Sequence, residues 1–248
     1  MKDEMKKGIS SFVEDSFHTA QTQLLQKGTG KRIKTLHVSD FVSPCLRKAY
    51  YQRLMPIWTM DDSKRDALYH GTILHEHSQL APFHEITMCY DINKDLAYMP
   101  QEVSEMPDKE REGIVTGTLD DLVKYGDDYV IVDKKTYNGN GYVKTDVDQQ
   151  YFMQISIYRV LLQEAFEIDA KYGCLLYLDK TKDFSASPVA VELMETEKTK
   201  EYLRETWKKL MSTDVPDGTP CFLCNGKNRN KKIYCEYVDQ CKIDGNGI

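Results

Sequence analysis

The sequence predicts an α/β or α+β protein, a mixed central β-sheet flanked by helices, and three observations carry that expectation. Apolar spacing switches between helical and strand periods along the chain. Two strand-like runs meet at a turn-rich centre near the middle of the sequence. The 248 residues are 41% hydrophobic, enough to build a core without cross-links. One domain is expected over 1–248, with an N-terminal helical part over 1–65, a core over 66–195 and a C-terminal helix with a cysteine cluster over 196–248.

Residues 9–27 read as a first amphipathic helix, stopped by GTGKR. In LHVSDFVSPCLRKAYYQRLMP, Ser43-Pro44 is a helix-start signal, with serine as cap and proline at the first helical position. Cys45 then falls in a first turn, where the macrodipole and unpaired backbone N–H groups favour a thiolate. DALYHGTILHEHSQLAPF, over 66–83, reads as another helix with His70, His75 and His77 on or near it. Short β runs separated by turn residues from Thr87 to Val143 suggest a meander. Val147 to Phe166 returns to helical spacing, KYGCLLYL is a strand, and Thr196 to Met211 is a charged amphipathic helix.

No stretch approaches the roughly 18 apolar residues of a membrane span, and MKDEMKKG does not open a signal peptide, so a cytoplasmic protein without a membrane partner is expected. The net charge of -6 gives no overall attraction to a polyanion, so nucleic-acid binding would need a local basic groove. Seven cysteines without an export signal read as metal ligands rather than disulfides. Cys221, Cys224, Cys235 and Cys241 fall within 21 residues, whereas Cys45, Cys89 and Cys174 are scattered. Cys89 and Cys174 sit in apolar strand-like runs and read as buried thiols.

GIVTGTLDDLVKYGDDYVIVDKKT is two strand-like runs about YGDDY. A two-residue Gly126-Asp127 loop pairs Tyr125 with Asp128 and, counting outward, Asp120 with Asp133. Strand alternation puts Asp133 and Lys135 on one face and Lys134 on the other. A loop at Asp127-Asp128 keeps Asp120 on the Asp133 face, whereas a three-residue loop brings in Asp121 instead. Adjacent carboxylates on a buried face repel unless a cation lies between them, and Mg²⁺ or Mn²⁺ suits such hard oxygen ligands. The competing reading is a solvated strand end, because D-x-K is a common triplet.

Together with its neighbours, this hairpin resembles the RecB-type branch of the PD-(D/E)xK nucleases. GTLDD supplies the G-x-x-D element with Asp120, and VDKKT the D-x-K element with Asp133 and Lys135. QISIY supplies Q-x-x-x-Y with Gln154 and Tyr158, and GTILHE matches the element whose histidine, here His75, binds metal in this branch. SDFVSPCLRKAYY and CEYVDQC look like the cysteine-bearing segments of its iron-sulfur members, the AddB-type recombination nucleases and CRISPR-associated exonucleases. The match runs from about residue 38 to 241, nearly the whole chain.

The resemblance implies a restriction-endonuclease-like core whose cysteine-bound metal staples the N- and C-terminal parts together. A structural 4Fe-4S cluster would be held by Cys45, Cys235 and Cys241 with either Cys224 or Cys221, Cys224 being preferred. The chain departs from the family's C-x2-C-x5-C spacing, since NGKNRNKKIY separates CFLC from CEYVDQC. A zinc site on Cys221, Cys224, Cys235 and Cys241 is the alternative.

The implied activity is an Mg²⁺- or Mn²⁺-dependent DNA exonuclease on single strands or free ends. His75, Asp120, Asp133 and the Lys134 carbonyl would bind metal, Lys135 would be catalytic, and Gln154 and Tyr158 would face the active site or DNA. Recombination, replication-linked processing or CRISPR spacer acquisition would be its setting, with a recombination or CRISPR-adaptation protein as partner; a phage-encoded exonuclease also fits. An idle nucleic-acid-binding module and a structure-selective endonuclease are the rival functions.

Among the remaining residues, Arg47, Lys48, Lys144 and KNRNKK are candidate phosphate contacts. Tyr50, Tyr51, Tyr137 and Tyr142 are candidates for base stacking, with core packing as strong a reading for the first two. Lys134, pointing off the catalytic face, has the side chain expected to matter least.

Overall fold

A computed structural model describes residues 35–56, 69, 71–73, 80–140, 142–182, 184–219, 224 and 235–244. The chain groups into two units, Met1–Ile33 with Trp58–Gln79, and Lys34–Ile57 with Leu80–Ile248. In the first, Tyr69 and residues 71–73 are helical. The expected helix over 9–27 lies outside the described residues, as do His70, His75, Glu76 and His77.

The second unit is built on a hairpin whose sequence alternates apolar and polar residues about a glycine turn. Strand β4 (Ile114–Tyr125) returns as β5 (Asp128–Tyr137) through Gly126-Asp127, with Tyr125 opposite Asp128. Gly126 has φ +62°, which a residue without Cβ adopts without strain. The two-residue loop expected from YGDDY is therefore the one that forms.

Further strands complete a seven-stranded mixed sheet in the order β3-β2-β4-β5-β6-β7, with a short β1 also on β4. These are β1 (Leu36–His37), β2 (His84–Asp91), β3 (Leu96–Tyr98), β6 (Tyr172–Asp179) and β7 (Ser185–Glu192). β5 and β6 run parallel, so the chain must cross over between them, and it does so through α4 (Gln149–Phe166). The other helices are α1 (Val38–Phe41), α2 (Leu46–Leu54), α3 (Pro100–Glu105), α5 (Thr196–Met211) and α6 (Val238–Ile243).

On one edge β4 pairs with β2 from Ile114 to Asp121. On the other edge it has two partners in succession: β1 in parallel at Val115 and Thr116, then β5 from Asp121 onward. Residues 117–120 lie between these ladders. β5 parts from β4 beyond Val132 while keeping its ladder with β6 as far as Tyr137. The sheet thus forks at Asp120.

α4 is buried around most of its middle, from Met153 to Leu162, with the buried Arg159 paired to Asp169 at 2.7 Å. α5 is amphipathic: it buries Leu203 and Leu210, and Tyr202 donates its hydroxyl proton to the Phe41 carbonyl at 2.7 Å. β4 approaches α1 and α4 closely at Gly117, where a Cβ would stand 2.6 Å from Val38 Cγ2 and 2.9 Å from Tyr158 Cε1.

Several expectations need correction. Helix α2 begins later than Ser43-Pro44 implies: Cys45 is its N-cap, taking the first helical bonds from Lys48 and Ala49 on its carbonyl. The Ser43 hydroxyl donates to that same carbonyl and so caps nothing. Residues 80–83 of the expected 66–83 helix are irregular and lead into β2. The meander is interrupted by α3, with Pro100 at its first position and Glu102 reaching back to the Met99 amide at 2.6 Å. β7, which alternates exposed and half-buried residues, is an additional edge strand that tolerates Pro188.

Gly117→Val should destabilise the protein by about 1–3 kcal/mol, the cost of overpacking a filled site. Urea unfolding measures this, and a variant as stable as the parent would contradict the close approach of β4 to α1 and α4.

Candidate active site

The fork places its charges on two faces by strand parity. Asp120 follows Asp121 out of the β4–β5 ladder, and its Oδ2 accepts the Lys134 backbone N–H at 2.7 Å. A strand residue directs its N–H and C=O towards the same edge, so the Lys134 carbonyl faces the fork too. Asp133 is buried one residue earlier, and the Lys135 ammonium lies 2.8 Å from its Oδ2 while stacking 5.0 Å above the Tyr151 ring. Asp120, Asp133 and Lys135 therefore gather where β4 and β5 separate.

Burial alone would lower the Lys135 pKa, but Asp133 and then Asp120 outweigh it and hold the ammonium above the ordinary lysine range. Lys135 is thus a cation throughout neutral pH, neutralising one of the two carboxylates. One turn apart on α4, Gln154 Nε2 donates to Tyr158 Oη at 2.9 Å. Burial, then the charges of Asp133 and Asp120, push the Tyr158 hydroxyl far above its usual value. It keeps its proton, and that proton is left to donate because Gln154 occupies an acceptor position.

The opposite face carries a second pair. Lys134 Nζ lies 2.7 Å from Asp121 Oδ2, and Asp121 Oδ1 accepts the Leu80 N–H at 3.0 Å. Both side chains are buried, Asp121 at 0% and Lys134 at 2% exposure. Parity placed Lys134 off the catalytic face, but the expectation that its side chain matters least is overturned. It is the counter-ion of a carboxylate that has no access to water. Sequence reasoning missed Asp121, although a signal existed: with Tyr125 opposite Asp128, Asp121 and Lys134 are diagonal cross-strand neighbours of opposite charge.

Asp120, Asp133 and the Lys134 carbonyl offer the hard oxygen donors that suit a divalent cation. His75, the further ligand implied by GTILHE, lies outside the described residues. Among the described residues no three His, Cys, Asp or Glu side chains surround a point where one ion could sit.

The C-terminal segment returns to α2 through a separate group of contacts. Tyr237 donates to the Met55 carbonyl at 3.0 Å, Lys48 pairs with Glu236 at 3.3 Å, and the Tyr51 hydroxyl bonds Asp244. Cys224, Cys235 and Cys241 are buried and Cys45 is half-buried, while Cys221 lies outside the described residues. Burial pushes the Cys241 thiol up and the nearby Arg47 guanidinium draws it down, with the Cys45 and Cys224 sulfurs adding to the rise.

Arg47 is 1% exposed; its Nε donates to the Pro216 carbonyl at 2.7 Å, and its Nη2 finds no partner among the described residues. Arg47 is therefore structural rather than the phosphate contact the sequence suggested. Tyr50 and Tyr51 are core residues, Cys89 is a buried thiol, and Cys174 is half-buried.

A forked mixed sheet with two carboxylates and a lysine on one face has the make-up of a phosphodiester-hydrolysing site. The chain belongs to the PD-(D/E)XK nuclease superfamily, whose family model matches residues 92–242. No curated protein matches it. Among solved structures, the crystal structure of SSO0001 is 17% identical, with 93% of this chain and 96% of that chain covered and a TM-score of 0.57. An alkaline exonuclease from Laribacter hongkongensis is 12% identical, over 72% of this chain and 89% of its own, with a TM-score of 0.39. The first of these likenesses is one of fold.

Lys134→Met should destabilise the protein by about 3–5 kcal/mol, because it strands the Asp121 charge in the interior. Adding Asp121→Leu should recover much of that loss in urea titrations. Equal stability of Lys134→Met and the parent would show that the pair is not buried as described.

Proposed function

We propose that this nuclease is a divalent-metal-dependent DNA exonuclease acting on single strands or free ends. The observation that supports it most is the placing of Asp120, Asp133 and Lys135 together at the fork, with the lysine held protonated. The cation would be Mg²⁺ or Mn²⁺ on Asp120, Asp133 and the Lys134 carbonyl; when bound, it supplies Lewis-acid activation of water and phosphate.

The protein's own residues do the rest. The Lys134 amide fixes Asp120, which cannot rotate away without losing a buried hydrogen bond. Asp133 holds the Lys135 ammonium where negative charge develops on a phosphate under attack, an electrostatic contribution that needs no reorganisation. The neutral Tyr158 hydroxyl, with Gln154 as its donor, presents its proton to the same face. Preference for ends, and a role in recombination, replication-linked processing or CRISPR spacer acquisition, follow from the family resemblance alone.

We further propose a structural 4Fe-4S cluster on Cys45, Cys224, Cys235 and Cys241, with Cys221 as the alternative to Cys224. The support is Arg47. A buried guanidinium whose Nη2 has no partner among the described residues suits an anion, and thiolates on a cluster are the anions its neighbours can become. A zinc site on Cys221, Cys224, Cys235 and Cys241 is the second reading, since those four residues suit tetrahedral sulfur ligation.

With Mn²⁺ and labelled DNA, Asp133→Ala and Lys135→Ala should each lose roughly 100-fold or more of cleavage while remaining folded. Undiminished cleavage in either variant would refute the assignment, and cleavage of closed circles would replace exonuclease by endonuclease. Anaerobically purified protein should be brown and carry iron with acid-labile sulfide. A colourless protein with one zinc per chain would establish the second reading.

A further inference from the structure

We propose that Tyr142 is a stacking platform for a base of single-stranded DNA, with Lys144 contacting the phosphate beside it, on the strand that runs past Lys135. This subsite rests on the nuclease reading of the fork and adds the form of substrate it takes.

Tyr142 lies between β5 and α4 and is 57% exposed, so its ring is open to a ligand. Its backbone is nevertheless fixed. The Tyr142 N–H donates to the Gly139 carbonyl at 2.8 Å, and the Tyr137 hydroxyl donates to the Tyr142 carbonyl at 3.2 Å. The anchor beneath is Asp179 at the end of β6, whose Oδ1 accepts the Gly139 N–H at 2.9 Å together with the Thr181 N–H and hydroxyl. The Thr181 hydroxyl bond, with the two backbone amides, keeps the Asp179 carboxyl below its usual range, so the brace is ionised. Asn140 N–H donates to Thr181 Oγ1 at 3.2 Å and closes the loop onto the β6–β7 turn. An exposed aromatic on a loop braced by a buried carboxylate is pre-organised for binding.

The platform is continuous with the fork. β5 carries Lys135 and, two residues on, Tyr137, whose ring meets Tyr177 edge-on at 6.1 Å. Lys144 Nζ stands 5.5 Å from the centre of the Tyr177 ring, as Lys135 Nζ stands 5.0 Å from that of Tyr151. Tyr177 is buried beneath this stretch, so the groups open to a strand here are the part-exposed Lys135 and Lys144 side chains and the Tyr142 ring. That set serves a flexible strand, whose phosphates meet the ammonium groups while one base stacks on Tyr142. A duplex hides its base faces and offers Tyr142 nothing to stack on.

Lys144 is paired with both oxygens of Asp148 at 3.0 Å, and that hydrogen bond holds its pKa up. It therefore meets a phosphate as a full cation, and Asp148, 43% exposed, turns to water when a phosphate takes its place.

The test uses the full-length protein in Ca²⁺ and the anisotropy of a fluorescein-labelled single-stranded oligonucleotide. Tyr142→Ala should weaken binding by about 5-fold or more, since stacking contributes about 1–3 kcal/mol per base. Tyr142→Trp should retain affinity, and the melting temperature of both variants should match the parent. An abasic nucleotide at the stacked position should make parent and Tyr142→Ala equal. Single-strand affinity of Tyr142→Ala equal to that of the parent, or an equal loss on duplex DNA, would overturn the platform. If binding depends on Tyr142 but Mn²⁺ produces no cleavage, the platform stands and the nuclease reading falls.

Discussion

The buried ion pair of Asp121 and Lys134 is the constraint on which the rest of the fork depends. These residues follow, on each strand, the position that carries the chemistry: Asp120 precedes Asp121, and Asp133 and Lys135 flank Lys134. Fixing Asp121 and Lys134 on the closed face fixes what stands on the open one, because a strand's parity leaves no other arrangement. A one-residue slip of β5 against β4 would leave two charges unpaired in the interior. The pair's contribution to net stability is small or even unfavourable against an apolar substitute, but its contribution to register is large.

The fork then allows two carboxylates to share a buried face. A continuous β4–β5 ladder would occupy the Lys134 N–H with a backbone carbonyl. Because the strands part, that N–H is available to Asp120, and the Lys134 carbonyl is directed into the opening. Separation of the strands therefore creates one donor for the carboxylate and one oxygen facing the site. Lys135 neutralises Asp133 on the other side. What remains is a site of mixed charge with a net negative balance, suited to a divalent cation and, beyond it, to a phosphate.

Much of this was legible in the sequence, and the reasons are local. The Gly126-Asp127 turn and the alternation on either side of it determine which residues share a face, so Asp120 and Asp133 could be counted onto one face, although the ladder ends one pair short of them at Asp121 and Val132. The α4 and α5 spans were readable because their apolar periods are long and uninterrupted. The helix start was placed two residues early, at Ser43 instead of Cys45, since Ser43-Pro44 looks like a helix start and only the three-dimensional path of Ser43 Oγ shows that it donates rather than accepts. The role of Lys134 was misjudged because parity says which way a side chain points but not whether that side is solvent or core. Nor did the pattern of charges reveal the Asp179 brace, whose partners at Gly139, Asn140 and Thr181 come together only when the β5–α4 loop meets the β6–β7 turn.

Arg47 extends the same logic to the other end of the protein. Its neighbours Tyr50, Tyr51 and Lys48 already bind α2 to residues 213–244 through hydrogen bonds and an ion pair, so the N- and C-terminal parts of this unit are joined whether or not a metal is bound. A metal is therefore not needed to explain the joint. The guanidinium is another matter: leucine or methionine would fill that space without the cost of burying a charge. Among the described residues the Arg47 Nη2 has no partner, and the thiolates of the proposed cluster would supply the anion that such a cation lacks. The proposed sulfur-bound metal is thus supported less by the spacing of the cysteines, which departs from the family pattern, than by the buried cation beside them.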